Sequence, residues 1–235
     1  MRILGIDSTT PKSSVALVEQ NKVLAETHLQ PLTKHSNRIL ALVDQVLAQS
    51  GVSLDAVDAF AVTRGPGSFT GLRVGVSLVQ GLVLATGKPC IGVDTLEAVA
   101  ASARPTHRQI CPFLDARKKQ IYAAFFKYSD HGLQRTTADC AIEPAQFCEQ
   151  VTEPTLFLGY GIEAYGDLFA RTLGPLFLTQ SGEPGSTVAA SAAKLAGERL
   201  ASKTEPGLET LTIKYVRKSE AELNFEKKYS FTGRS

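Results

Sequence analysis

Three short apolar segments open the chain with little between them: residues 2–7, 13–19 and 23–29, linked by Ser8-Thr9-Thr10-Pro11 and by Gln20-Asn21-Lys22. Links this short leave no room for a crossover, so the three predicted strands must run antiparallel and pair as neighbours. After them the pattern alternates. Ile39, Leu42, Val43, Val46 and Leu47 recur at three- and four-residue spacing, which predicts a helix over 35–49 that Gly51 stops. Residues 56–63 read as a strand, 71–86 as a helix capped by Ser68 or Thr70, 90–93 as a strand and 95–102 as a helix. A meander followed by strand–helix crossovers predicts a mixed sheet with helices packed on it.

A second stretch begins near Arg104-Pro105. Strands are predicted over 109–115, 121–128 and 155–158, and helices over 144–150, 162–172 and 187–202, the last with an Ala-rich face. The expected organisation is an N-terminal lobe over 1–103 and a smaller lobe with a tail over 104–235, the last helix being placed to cross back. With 43% hydrophobic residues the chain has material for a core and is no disordered polymer. Its 25 basic and 23 acidic residues leave a net charge of +2, which excludes nucleic-acid binding by whole-surface charge and leaves only local patches. Ser77 and Gln80 interrupt the longest apolar stretch, residues 74–85, and the N-terminus has no h-region or cleavage signal, so no membrane span and a cytoplasmic location are expected. Cys90, Cys111, Cys140 and Cys148 lack C-x-x-C spacing and read as free thiols of a reducing compartment.

Several motifs carry candidate chemistry, each with a plainer reading beside it. Asp7-Ser8-Thr9-Thr10 ends a strand in a hydroxyl-rich turn. It is either a phosphate site, with the Asp holding a metal-bound water, or a polar β-turn. Arg64 to Arg73 reads RGPGSFTGLR, a strand-to-helix loop with three glycines. It lets backbone approach a ligand or partner, or it is a tight turn; it lacks the lysine of a P-loop. Arg117-Lys118-Lys119 is either an RNA or partner contact or a solvated hairpin tip. The tail from Lys214 to Glu222, with Lys227, Lys228 and Tyr229 beyond, is either a docking peptide or a mobile end. His28, His35, His107 and His131 are scattered, so no zinc or iron site of the H-x-x-x-H type is expected. The predicted helix over 71–86 is apolar almost all round, and one sheet covers only one face of a helix; the surplus points to a second interface.

The combination of GIDSTT, KHSNRILALVDQVLAQSG, the block AVTRGPGSFTGLRVGVSLVQGLVLATGKPCIGVDTLEAVA, DARKKQIYAAF and KYVRKSEAE resembles the bacterial TsaB (YeaZ) family. The resemblance implies an α/β, actin-like ATPase (sugar kinase/Hsp70-like) fold in two lobes, with mixed sheets flanked by helices. It also implies a role in making threonylcarbamoyladenosine at position 37 of tRNA, as a subunit that binds the transferase TsaD and works with the ATPase TsaE. By resemblance, the docking set is His35, Ile39, Leu42 and Val46 on the first helix and Leu72, Arg73, Val76, Val79, Gln80 and Leu82 on the second. Alone, the same face would pair two copies.

TsaD-type chains carry H-x-E-G-H with two metal-binding histidines; here Thr95 and Val99 stand in their place, and the adenosine loop is reduced to Gly159-Tyr160-Gly161. The resemblance thus implies no catalytic residue and no cofactor of the chain's own, with ATP and metal in partner subunits and tRNA met through the complex. The alternatives are a glycoprotease-like metallopeptidase or a small-molecule kinase of the same class, and an RNA-binding module.

Overall fold

A computed structural model describes residues 1–29, 38–104, 106–180, 186–202 and 207–217. The opening meander forms as expected: β1 (Arg2–Asp7), β2 (Ser14–Glu19) and β3 (Lys22–His28) pair antiparallel, with Leu4 opposite Leu17. After α1 (Arg38–Ser50), β4 (Ala59–Thr63) joins β1 in parallel; after α2 (Phe69–Thr86), β5 (Cys90–Val93) joins β4. The order is β3-β2-β1-β4-β5, and α3 (Thr95–Ala101) follows.

The second sheet repeats that plan. β6 (Gln109–Arg117), β7 (Gln120–Ala123), β8 (Phe126–Ser129), β9 (Gly132–Arg135), β10 (Cys140–Ile142), α4 (Pro144–Cys148), β11 (Thr155–Leu158), α5 (Ile162–Leu173) and β12 (Phe177–Thr179) give a main path β10-β7-β6-β11-β12. β7 and β10 are antiparallel neighbours; β11 and β12 join β6 in parallel. The single strand expected over 121–128 is two strands. β7 pairs with β6 and β10, while β8 turns away to pair with β9 and touches β6 at Ile110–Phe126. β9, β10 and β12 span three or four residues, too few for alternation to register in the sequence.

Three apolar clusters hold this together. Ile39, Leu42, Val43 and Val46 of α1 and Val76 and Val79 of α2 pack on one face of the first sheet, against Leu4, Ile6, Leu17, Phe60 and Val62. Phe113, Phe147, Phe157 and Phe169 fill the outer face of the second sheet under α4 and α5. The third cluster joins the lobes: α6 (Val188–Ala201) crosses back onto the first sheet with Ala189, Ala190, Ala192, Ala193 and Ala196 fully buried, and the same cluster reaches Ile110, Leu114, Tyr122 and Phe126. Small side chains allow that close helix–sheet approach, so the Ala-rich face is the seam between lobes.

This packing sets how much of the expected docking residues is exposed in the single chain. Ile39, Leu42, Val46, Leu72, Val76 and Val79 are each at most 6% exposed, spent on seating α1 and α2 on the chain's own sheet. Arg73 and Gln80 lie exposed and Leu82 is half-buried; His35 lies outside the described residues. By length and composition alone α2 would pass as a membrane-crossing helix. Yet four of its 18 residues, Leu72, Gly75, Val76 and Val79, are buried in this fold, and Ser77 and Gln80 sit on its exposed side.

Candidate functional site

β1, β4 and β5 are parallel and end at one edge of the sheet, the place where ligands meet open α/β sheets. Each ends in a polar residue: Asp7, Thr63, and Asp94-Thr95 after β5. The Asp7 carboxylate is fully buried. Its Oδ1 accepts from the Thr9 N–H at 2.9 Å, the Thr9 hydroxyl at 2.7 Å and the Thr63 hydroxyl at 2.7 Å, while Oδ2 accepts from the Thr10 hydroxyl. Thr95 Oγ1 lies 3.1 Å from Thr9 Oγ1 and accepts the Gly65 N–H at 3.1 Å. Hydrogen bonds to a charged acceptor are each worth about 1.5–3 kcal/mol, so these four offset the cost of taking a carboxyl group out of water.

The glycine-rich loop closes on the same turn. The Ser68 N–H donates to Thr9 O at 3.0 Å and the Ser8 hydroxyl to Gly71 O at 2.6 Å. A Cβ on Gly67 would sit 2.6 Å from Thr9 O, and one on Gly71 1.8 Å from Ser8 O. The close approach these glycines permit is therefore taken by the chain's own β1–β2 turn. Ser68 caps α2 by accepting the Gly71 N–H. From the second lobe Tyr160 leans on the turn. Burial pushes its phenol up to about 12, nearby Asp7 adds to the rise, and a hydrogen bond with Thr10 opposes it. The expected phosphate role of Asp7, Ser8, Thr9 and Thr10 thus meets a carboxylate whose Oδ1 already accepts three hydrogen bonds and whose Oδ2 accepts one.

A cleft of about 920 Å³ opens beside this turn, lined from both lobes by residues including Thr10, Phe69, Arg117, Tyr122, Tyr160 and Arg217. At its rim is the β6–β7 hairpin. Arg117 pairs with Gln120, and Lys118 and Lys119 between them have φ of 52° and 59°, as a type I′ turn requires. Arg117 also has a positive φ of 62°, at a register shift after Asp115. Left-handed backbone costs a residue with a Cβ about 1–2 kcal/mol. All three cations are exposed. Asp115 braces the turn from behind: it accepts the Arg117 N–H at 2.8 Å, and the Tyr165 hydroxyl lies 3.4 Å away.

The tail folds back in its described part. Lys214 N–H donates to Arg64 O at 2.8 Å, Tyr215 stacks on Phe69 at 5.0 Å, and the Arg73 Nε–H reaches the Tyr215 hydroxyl at 3.4 Å. Lys214 Nζ lies 2.7 Å from both Asp94 and Asp139, while Arg64 and Arg135 reach the other sides of Asp94 at 3.0 and 3.1 Å. Burial pushes the Asp94 carboxyl up, but Lys214, Arg64 and Arg135 together hold it below its usual value. Sequence reasoning missed Thr63 and this charge cluster, and it named Thr95 and Tyr160 only as departures from the TsaD pattern, not as groups that meet the Asp7 turn. The signal for Thr63 and Thr95 was a polar residue closing each apolar strand, as Asp7 closes β1. Residues 218–222 and 227–229 lie outside the described residues. Among those described, no group of three His, Cys, Asp or Glu side chains gathers at one point. The four cysteines are free, and burial pushes each thiol up.

The family model of TsaD, tRNA N6-adenosine threonylcarbamoyltransferase, matches residues 23–228. The tRNA threonylcarbamoyladenosine biosynthesis protein TsaB of Escherichia coli is 36% identical over 174 residues, covering 72% of this chain and 75% of that one. The chain belongs to the TsaB family. The solved structure of YeaZ from Pseudomonas aeruginosa superposes with a TM-score of 0.73 at 27% identity, covering 91% of this chain and 99% of that one. Component A of the Acidaminococcus fermentans (R)-2-hydroxyglutaryl-CoA dehydratase shares the fold alone, with a TM-score of 0.53 at 12% identity. The fold is that of the actin-like ATPases, two sheets flanked by helices. This TsaB-family chain has its role in threonylcarbamoyladenosine modification of tRNA.

Proposed function

We propose that this chain is a non-catalytic subunit that docks on a TsaD-type transferase through the outer faces of α1 and α2. The observation that carries the reading is α2 itself. Eighteen mostly apolar residues bury only four, leaving Leu78, Leu82 and Val83 half-buried and Leu84 78% exposed; on α1, Leu40 is 50% exposed. So much apolar surface on neighbouring helices marks an interface. The chain matches the transferase's own family model, so the partner offers a comparable helix pair, and two such faces pair about an approximate two-fold axis. Alone, the same face pairs two copies.

Within this reading TsaE joins the pair, ATP and metal are held by partner subunits, and tRNA is met through the complex. The complex works in the cytoplasm, away from membranes. A subordinate role fits the committed Asp7 carboxylate. It also fits Thr95 and Val99, buried where TsaD-type chains carry metal-binding histidines.

The test uses Leu84→Glu, because Val76→Glu would place a charge in the core and unfold the chain. Leu84→Glu should fold normally and lose at least about a hundredfold in affinity for TsaD, an unpaired carboxylate at an apolar contact being worth about 3 kcal/mol. Normal co-purification of that variant ends the docking claim. Reconstituted threonylcarbamoylation should depend on the chain. Tight stoichiometric ATP or metal binding by the isolated chain, read by calorimetry, would overturn the non-catalytic role in favour of a metallopeptidase or kinase.

A further inference from the structure

We infer that the described part of the tail belongs to the docking surface: Tyr215, laid on one flank of α2, is an anchor for the TsaD-type transferase. The inference rests on the docking reading above and adds a third segment, 207–217, to α1 and α2. That segment is a strap and not a loose end. The Gly207 N–H donates to Cys90 O at 3.0 Å, the Gly92 N–H to the Thr210 hydroxyl at 3.0 Å and the Lys214 N–H to Arg64 O at 2.8 Å. The strap thus follows the outer edge of β5 and then crosses the glycine-rich loop. The crossing is close: a Cβ on Gly92 would lie 2.0 Å from Thr210 O, and one on Gly65 2.4 Å from Lys214 O. Leu211 and Ile213 join the cluster under α1 and α2, and Val216 joins the cluster between the lobes.

Tyr215 turns outward where the strap reaches α2. One face of its ring stacks on Phe69, its hydroxyl meets the Arg73 Nε–H, and 45% of the residue stays exposed. Five large hydrophobic side chains are exposed among the described residues: Met1, Leu40, Leu84, Leu208 and Tyr215. Leu40 is on α1, Leu84 is on α2 and Tyr215 is seated on α2, so three of the five border one helix pair. Phe69, Arg73, Gln80 and Leu84 follow at intervals of four, seven and four residues, which puts them on one flank of α2. Tyr215 therefore lies at one end, and Leu84 at the other, of a single flank about 22 Å long. Tyrosine and arginine are the residue types that dominate interface energetics. A ring already held by stacking and by a strap loses little freedom when a partner covers its other face. The partner is the transferase because this flank continues the face on which the helix pair meets it, and the transferase's family model spans the strap as well as both helices.

The test measures affinity for the TsaD of the same genome by calorimetry, for the full chain and four variants, with urea unfolding of each. Leu84→Glu reports on the docking reading. Tyr215→Ala should weaken binding by about 10- to 100-fold. Tyr215→Phe keeps the ring and should stay within about fivefold of the unchanged chain. Lys214→Met removes the strap's ion pairs to Asp94 and Asp139 but leaves its backbone bonds, and should also stay within about fivefold. If Tyr215→Ala binds like the unchanged chain while Leu84→Glu does not, the inference is wrong and the docking reading stands. If Tyr215→Ala weakens binding and Leu84→Glu does not, the strap docks and the α1–α2 reading falls. If neither weakens it, both fall. Equal losses in Tyr215→Ala and Lys214→Met would make the strap a brace for the fold and overturn the inference. So would weaker self-association of Tyr215→Ala with its TsaD affinity unchanged, which would assign Tyr215 to a second copy.

Discussion

The β1–β2 and β6–β7 turns occupy the same place in two sheets of the same strand order, and both open on one cleft. Each begins with an aspartate at the end of the central strand, yet they are built in opposite ways. The first turn buries its aspartate and commits the polar groups of residues 7–10 inward, with Lys12 alone left exposed among its charged residues: four donors on Asp7, the Ser8 hydroxyl on Gly71, the Thr9 carbonyl under Ser68. The second leaves its aspartate half-buried behind the turn, on the Arg117 N–H, and turns three cations outward on left-handed backbone. Polar residues in a turn between strands are therefore no guide to a ligand by themselves. What separates the two turns is whether the chain's own groups already satisfy them. Substitutions should stabilise one turn and destabilise the other.

The largest effect is expected at Gly71. An alanine methyl there would lie 1.8 Å from the Ser8 carbonyl oxygen, in a turn with no slack, and the variant should lose about 3 kcal/mol or more in urea unfolding. Gly81, ten residues on in the same helix, meets nothing within 4 Å. Gly81→Ala should gain about 0.5–1 kcal/mol from helix propensity alone. If both substitutions behave alike, the close approach at Gly71 is not what the loop is for. Asp7→Asn comes next. The amide keeps the shape but replaces one acceptor oxygen with a donor, so either Thr10 or the Thr9–Thr63 pair faces a like donor in a buried site. The expected cost is about 3 kcal/mol, checked by the same unfolding series.

The first sheet was legible because its signals are local. Short links force antiparallel pairing, apolar periodicity marks α1 and α2, and glycine and proline punctuate each end. The second sheet was legible only in outline. β9, β10 and β12 are too short to show a period, and the switch of partner between β7 and β8 depends on contacts made by other strands. The candidate site divides the same way. Asp7, the glycine block and the basic tip stood out as motifs. The sequence carried no sign that Gly67 and Gly71 face the chain's own Ser8 and Thr9, because that closeness exists only after β1 and β4 pair. It showed that α2 has more apolar surface than one sheet can cover, but not which of those positions face the sheet. Periodicity locates a helix face, but the width of what covers it is a tertiary property.

Two titrations probe what ties the lobes together beside these turns. Asp94 sits below its usual value in the folded chain, so it stabilises the fold above the unfolded value, near 3.8, and that contribution is lost as pH falls through the lowered folded value. Acid unfolding of Lys214→Met should therefore begin at higher pH than in the unchanged chain, since the ammonium 2.7 Å from Asp94 is gone. Tyr160 has the opposite sign. Its phenol is raised from 10.0 to about 12, so its contribution is complete below pH 10 and is lost as pH rises toward 12. Tyr160→Phe should flatten that alkaline decline. An unaltered alkaline profile would mean that the tyrosine does not lean on the Asp7 turn.

The smallest effect is the most pointed, because its sign is reversed. Lys118→Asn with Lys119→Gly gives the β6–β7 hairpin the residues a type I′ turn favours, so left-handed backbone no longer costs about 1 kcal/mol or more there. The variant should be more stable by about 1 kcal/mol in urea, part of the gain being offset by the greater freedom of glycine in the unfolded chain. Natural sequences sit above a stability threshold rather than at an optimum, so a stabilising change at an exposed turn is informative only when it also costs function. If the substitution raises stability and leaves tRNA modification by the complex at its full rate, the lysines are ornament and the two turns differ only in how they fold. If it raises stability and slows modification, the lysine side chains are needed in the complex, and the outward-facing turn is the functional one of the pair.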